Sequence, residues 1–155
     1  MKKKSKHLKV NSTPPAEISD AFNKLFTDHE DLSDFINKKG GIKEGLDFLR
    51  ACARSGRNGC NDTSTLWLRR YTSAIKAEVE ELDQSIPWKW WRSERTDLQN
   101  VRIELIDIFH FLMSAAAAAG MDGRDFINLY YQKRKLNFDR QVVGFKKNDN
   151  RKLKV

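Results

Sequence analysis

The chain has 155 residues, 29 Lys and Arg against 21 Asp and Glu, and a formal net charge of +8. That length suits one compact domain with a single core, and 39% hydrophobic content is too apolar for a disordered chain. No apolar run reaches the roughly 18 residues a membrane-spanning helix needs, and no apolar stretch follows the charged N-terminus as it would in a secretory signal.

The charge is unevenly placed. Residues 1–10 carry +5, residues 146–155 carry +4, and the body between them sums to −1. The expected organisation is therefore a basic tail over 1–13, one domain over 14–146 and a second basic tail over 147–155. Cys52 and Cys60 are too few for a disulfide framework and match no zinc spacing, so reduced thiols in a cytoplasmic protein are expected.

Taken in chain order, the elements are helical. Pro14-Pro15 closes the first tail, and Ile18, Phe22, Leu25 and Phe26 recur at helical spacing. A short helix over 31–36 and a third segment over 42–53 are predicted around the Gly40-Gly41 break. Ser55 to Asp62 reads as a loop by its Gly and Asn content. A long helix is predicted from Thr63 or Ser64 to Gln84, stopped ahead of Pro87. A tryptophan-rich connector follows, and then Asp97 caps a helix that runs to Ala119 and stops at Gly120. The last helix is predicted from Asp122 to Asn137, with Gln141–Phe145 the one β-like fragment. An antiparallel all-α bundle is the architecture this order implies.

The second long helix is apolar on nearly every side from Val101 to Ala119, the mark of burial in a bundle or oligomer core. Glu104 and Asp107 interrupt it one turn apart, where unpaired carboxylates would cost several kcal/mol. Glu78 and Glu81 repeat the spacing on the preceding helix. These acids can face solvent or pair with Arg69, Arg70 or Arg102. If the two helices pack antiparallel, four hard oxygen donors converge, and that is a ligand set for Mg²⁺ or Mn²⁺ rather than for zinc. Two acidic pairs on adjacent helices favour the metal.

Three further features stand beside the acids. Lys133, Asn137 and Arg140 share one helical face and offer a candidate phosphate clamp. Trp88, Trp90 and Trp91 are expected to pack into the bundle or a partner subunit, with Lys89 and Arg92 able to reach phosphates. His110, one turn after Asp107, is expected to be a hydrogen-bonded core histidine that orients that carboxylate.

These motifs resemble the all-α nucleoside triphosphate pyrophosphatases, in particular the dimeric dUTPase branch, and are similar to the dCTP/dUTP pyrophosphatases of tailed phages. The signature reads Glu78-Val-Glu-Glu81, 22 intervening residues, then Glu104-Leu-Ile-Asp107, with Trp88-Lys-Trp-Trp-Arg92 between them. The ending Leu136-Asn-Phe-Asp-Arg-Gln141 and Gly144-Phe-Lys146 matches the family's phosphate-binding tail, and the similarity covers residues 67–146.

The resemblance implies a homodimer that hydrolyses dUTP, dCTP or dUDP to the monophosphate through water activated beside Mg²⁺, with Mn²⁺ as a substitute. It makes Glu78, Glu81, Glu104 and Asp107 the metal ligands and Glu81 the group that activates water. Lys133, Asn137, Arg140, Lys146 and Lys89 become phosphate ligands, with Trp88, Trp91 and His110 in support. The region 46–54 lacks the Gln or Asn that reads the base in the cellular branch. That leaves Asn23, Asn37 or backbone for the task, and dUTP against dCTP open. The alternative reading is a housecleaning pyrophosphatase for another or modified deoxynucleoside triphosphate; the remote one, a helical module whose basic tails bind nucleic acid, does not account for carboxylates inside an apolar helix.

Overall fold

A computed structural model describes residues 10–56, 60–93, 95–144, 150 and 153–154. Five helices follow one another: α1 over Ala16–Lys39, α2 over Leu46–Ser55, α3 over Cys60–Gln84, α4 over Leu98–Ala118 and α5 over Gly123–Val143. No strand occurs among the described residues, so the chain adopts the all-α class its periodicity predicts. Among the described residues, no single helix is long and apolar enough to cross a membrane.

Several boundaries differ from expectation for local reasons. The first two predicted helices are one, α1, because Thr27-Asp-His-Glu30 between them contains no Gly or Pro to break it. α2 starts at Leu46, after Gly45 in extended geometry. α3 starts at Cys60, a few residues early. The β-like fragment is helical through Val143: two β-branched residues cost only a few tenths of a kcal/mol at a helix end, and Gly144 at φ +83° then ends it.

The described residues group into two compact units, Phe26–Asp122 and the remainder, which joins the chain up to Leu25 with Gly123 onward. In the larger unit α2, α3 and α4 pack together around Leu46, Leu49, Trp67, Tyr71, Ala117 and Ala118. The alanine run on α4 puts the small side chains of Ala117 and Ala118 at the contact. α4 closes in a Schellman pattern, with Gly120 N–H donating to Ala117 O and Met121 N–H to Ala116 O. Two arginines of α2 serve the same end: Arg50 Nε donates to Met121 O and Arg54 Nε to Gly120 O.

The smaller unit sets the first part of α1 against the start of α5. Phe22 and Phe126 stack at 6.5 Å between centroids, and Arg124 pairs with Asp20 at 2.8 Å. Gly123 makes this contact possible, since a Cβ there would lie 2.3 Å from the Phe22 carbonyl oxygen.

Candidate active site

α3 and α4 are tied together where one ends and the other begins. Asp97 caps α4 by accepting from Asn100 N–H at 3.0 Å, and its own N–H donates to Ser85 O at 3.1 Å. The Asn100 carboxamide spans the same neck. Its Nδ2 donates to Ser85 Oγ at 2.7 Å and to Glu104 Oε1 at 3.0 Å. The helices therefore run antiparallel from a fixed point. Glu78 lies seven residues before Ser85 and Glu104 seven after Asp97, about two turns down each leg, so the two acids meet.

Ligand oxygens of Glu78, Glu104 and Asp107 all fall within 4.8 Å of one another. Glu104 is buried, with 6% of its surface exposed, while its neighbours Ile103, Leu105 and Ile106 face outward. The first half of α4 thus inverts the usual order, with the acid inside and the aliphatics outside; only its second half, from Met113, is buried within this chain. Burial holds the Glu78 carboxyl above the usual carboxylate range, and the charges of Glu81, Asp107 and Glu104 push it the same way. A divalent cation resolves such crowding, and three hard carboxylates with no sulfur or imidazole among them suit Mg²⁺ or Mn²⁺. Glu81, one turn beyond Glu78, is exposed and stands outside the close set, although Glu78 feels its charge.

A cavity of about 360 Å³ adjoins these acids. Asp107 forms part of its wall, together with His29, Asn37, Trp67, Tyr71 and Phe111. His110 also borders it, half-buried, with Nδ1 3.6 Å from Asp107 Oδ1. That is an ion-pair distance but too long for a hydrogen bond, which corrects the expected hydrogen-bonded core histidine. Its ring instead stacks on His29 at 5.4 Å. His29 Nε2 lies 2.8 Å from Ser114 Oγ, and burial, with the His110 charge, pushes its pKa down to about 4. Asn37 is buried and gives Nδ2 to Glu44 O at 3.2 Å. Of the two asparagines proposed from sequence as base readers, Asn37 lines this cavity and Asn23 belongs to the smaller unit.

Sequence reasoning passed over Asn100, His29 and Trp67. Asn100 carried a usable signal, standing at the third position of a helix capped by Asp97 and one turn before Glu104. His29 carried none, because its partner Ser114 lies 85 residues along the chain.

Lys133, Asn137 and Arg140 share one side of α5 in the smaller unit, and Arg140 Nη1 reaches Asn137 Oδ1 at 3.5 Å. Lys146 lies outside the described residues. In the connector, Trp88, Trp90 and Trp91 are 73%, 88% and 59% exposed and pack edge-on against one another rather than into the bundle, which leaves the partner subunit of the two expected covers. Lys89 lies over the Trp88 ring at 5.2 Å.

The helical hairpin sets three carboxylates from its two legs beside a cavity of about 360 Å³. The chain belongs to the dUTPase family, whose profile matches residues 21–124. That span holds all four acids and the cavity and stops short of Lys133. The chain is 31% identical to the dCTP pyrophosphatase of Enterobacteria phage T4, over 56% of this chain and 46% of that protein. It is 31% identical to the dCTP pyrophosphatase of Enterobacteria phage LZ5, over 51% of this chain and 60% of that protein. It is also 26% identical to a DNA replication protein of phage T4, over 57% of this chain and 20% of that protein. The chain thus spans about half the length of the pyrophosphatases it matches, and no solved structure matches it.

Proposed function

We propose that the protein hydrolyses a pyrimidine deoxynucleoside triphosphate, dUTP or dCTP, to the monophosphate and pyrophosphate with Mg²⁺. The observation that carries this reading is the convergence of Glu78, Glu104 and Asp107 beside a cavity with aromatic walls.

Glu78, Glu104 and Asp107 would hold the ion, with Glu81 at the edge of the set. Bound there, Mg²⁺ supplies positive charge for the phosphate oxygens and eases ionisation of water. The exposed Glu81 carboxylate takes the proton of the attacking water. The water oxygen forms a new bond to phosphorus, the α–β anhydride breaks, and pyrophosphate leaves. Lys133, Asn137 and Arg140, with Lys146 and Lys89, bind phosphate oxygens, and the cavity encloses the nucleoside. A second copy of the chain covers Ile103, Ile106 and Val79, the exposed aliphatics around the acids, to give a homodimer.

Pyrophosphate release from dUTP and dCTP, with and without EDTA, tests the reading. Release is expected only with Mg²⁺, and Glu81→Gln is expected to lose at least about 100-fold in kcat. No release from any deoxynucleoside triphosphate overturns the function; full activity of the variant overturns the role of Glu81. Light scattering of the wild type and Ile106→Glu tests the dimer.

A further inference from the structure

The charge of the chain divides between the two units. The stretches before Phe26 and after Asp122, to which the smaller unit belongs, hold 16 Lys and Arg against 5 Asp and Glu, a net +11. Phe26–Asp122 holds 13 against 16, a net −3. The carboxylates of the candidate active site all lie in the larger unit. They account for its acidity and leave the opposite charge of the smaller one without a role, and a charge so far from zero attracts a polyanion.

α5 gives this charge a surface. Tyr130, Lys133, Arg134, Asn137, Phe138 and Gln141 recur at helical spacing and line an open groove of about 430 Å³, with no carboxylate among them. Tyr130 and Phe138 are both exposed. The Arg134 guanidinium lies over the Phe138 ring at 5.3 Å, and Lys133 Nζ meets the neutral Asn150 carboxamide at 2.6 Å. The next acid along, Asp139, is paired with Lys135 at 2.7 Å. Polar and apolar residues are mixed around α5, so it lacks the separate apolar face by which an amphipathic helix lies in a membrane.

Cations for phosphates, rings for bases and amides for base edges are the parts of a site for single-stranded nucleic acid. In a duplex the bases stack on one another and are closed to the rings. An acidic protein would meet the cations and leave the rings without a role. Tyr130 and Phe138 stand about 12 Å apart along the helix axis, the length of about three to four stacked nucleotides at roughly 3.4 Å each. We propose that this face of α5 binds single-stranded DNA, with Tyr130 and Phe138 stacking on bases and Lys133 and Arg134 meeting phosphates, as an activity additional to hydrolysis. The choice of DNA over RNA alone rests on the pyrophosphatase reading, whose substrates are deoxynucleotides.

The double variant Tyr130→Leu, Phe138→Leu separates this site from adsorption by the basic tails, because it removes both rings and no charge. Fluorescence anisotropy of the full chain with a labelled oligodeoxythymidylate should give about micromolar affinity at low salt. A duplex of the same length should bind at least about fivefold more weakly, and an oligouridylate no more tightly. In the double variant strand affinity should fall about tenfold or more, the scale of lost base stacking, with the salt dependence unchanged. Arg134→Gln keeps both rings and should lower the salt slope by about 0.7, one phosphate contact. Unchanged strand affinity in a double variant that circular dichroism shows folded, a duplex bound as tightly as the strand, or tighter binding to phosphatidylserine vesicles overturns the proposal. If the double variant does not fold, an unchanged slope and affinity in Arg134→Gln overturns it. Tighter binding of the oligouridylate overturns the choice of DNA. Pyrophosphate release measured beside these titrations keeps the two readings apart: its absence in wild type overturns the enzyme, while strand binding stands or falls on anisotropy alone.

Discussion

Lys133 and Asn150 are joined by a hydrogen bond of 2.6 Å from Nζ to the carboxamide oxygen, and Arg140 Nη2 donates to that same oxygen at 3.1 Å. Two cations converge on one neutral acceptor, as they would on a phosphate oxygen. Gln132 and Lys154 exchange a reciprocal pair of bonds that ties Lys154 to α5. On the proposed function, a substrate phosphate would compete with Asn150 for both cations. Asn150→Ala is therefore expected to lower KM about two- to fivefold with kcat unchanged, the size of one modest hydrogen bond. Initial-rate kinetics over a substrate series check it.

Asn100 holds the neck of the hairpin and one oxygen of Glu104 at once. Asn100→Ala is expected to cost about 1–2 kcal/mol of stability and to raise the Mg²⁺ concentration for half-maximal activity about tenfold, as loss of a group that orients a ligand does. Urea melts and a Mg²⁺ titration of activity measure the two effects separately.

The carboxylates of Glu78, Glu104 and Asp107 repel one another without a cation between them. In EDTA, Glu104→Gln is expected to raise Tm, because it removes one of these like charges. With Mg²⁺ added, wild type is expected to gain stability and the variant little or none. Thermal melts in both buffers check the crossing; a variant that gains as much as wild type speaks against these ligands.

His29 gives a pH dependence with a definite sign. Its folded pKa of about 4 lies below the ordinary value of 6.5, so between these values the unfolded chain binds more protons. Stability is at its fullest above about pH 6.5 and falls as pH drops toward 4, by at most about 3 kcal/mol from this residue. Urea midpoints of wild type and His29→Gln across this range should converge at the acid end, because the glutamine does not titrate.

Much of this arrangement is legible in the sequence, and what is not has a physical cause. Glu78 and Glu104 can be paired from helical period and a shared turn, and Asp97 announces its cap three residues ahead of the N–H it receives. The all-α class follows from the same periodicity. His29 cannot be read this way, since its partner Ser114 lies 85 residues on and only packing brings them together. For the tryptophans, aromatic content argues for burial in the bundle or a partner subunit, and within one chain the bundle does not cover them. Similarly, the aliphatics of α4 signal a core without saying whose, and Ile103 and Ile106 lie open in the single chain.

The tie among Ser85, Asp97 and Asn100 fixes where counting begins on both legs of the hairpin. Residues 86–96 lie outside that count. Their length and composition can drift without changing which carboxylates face each other, as loop closure grows costlier only slowly with length. A fluorophore or a peptide tag spliced into this stretch should leave the spacing of Glu78 and Glu104 untouched, whereas one residue inserted between Asp97 and Glu104 would turn the acid about 100° away from its partners.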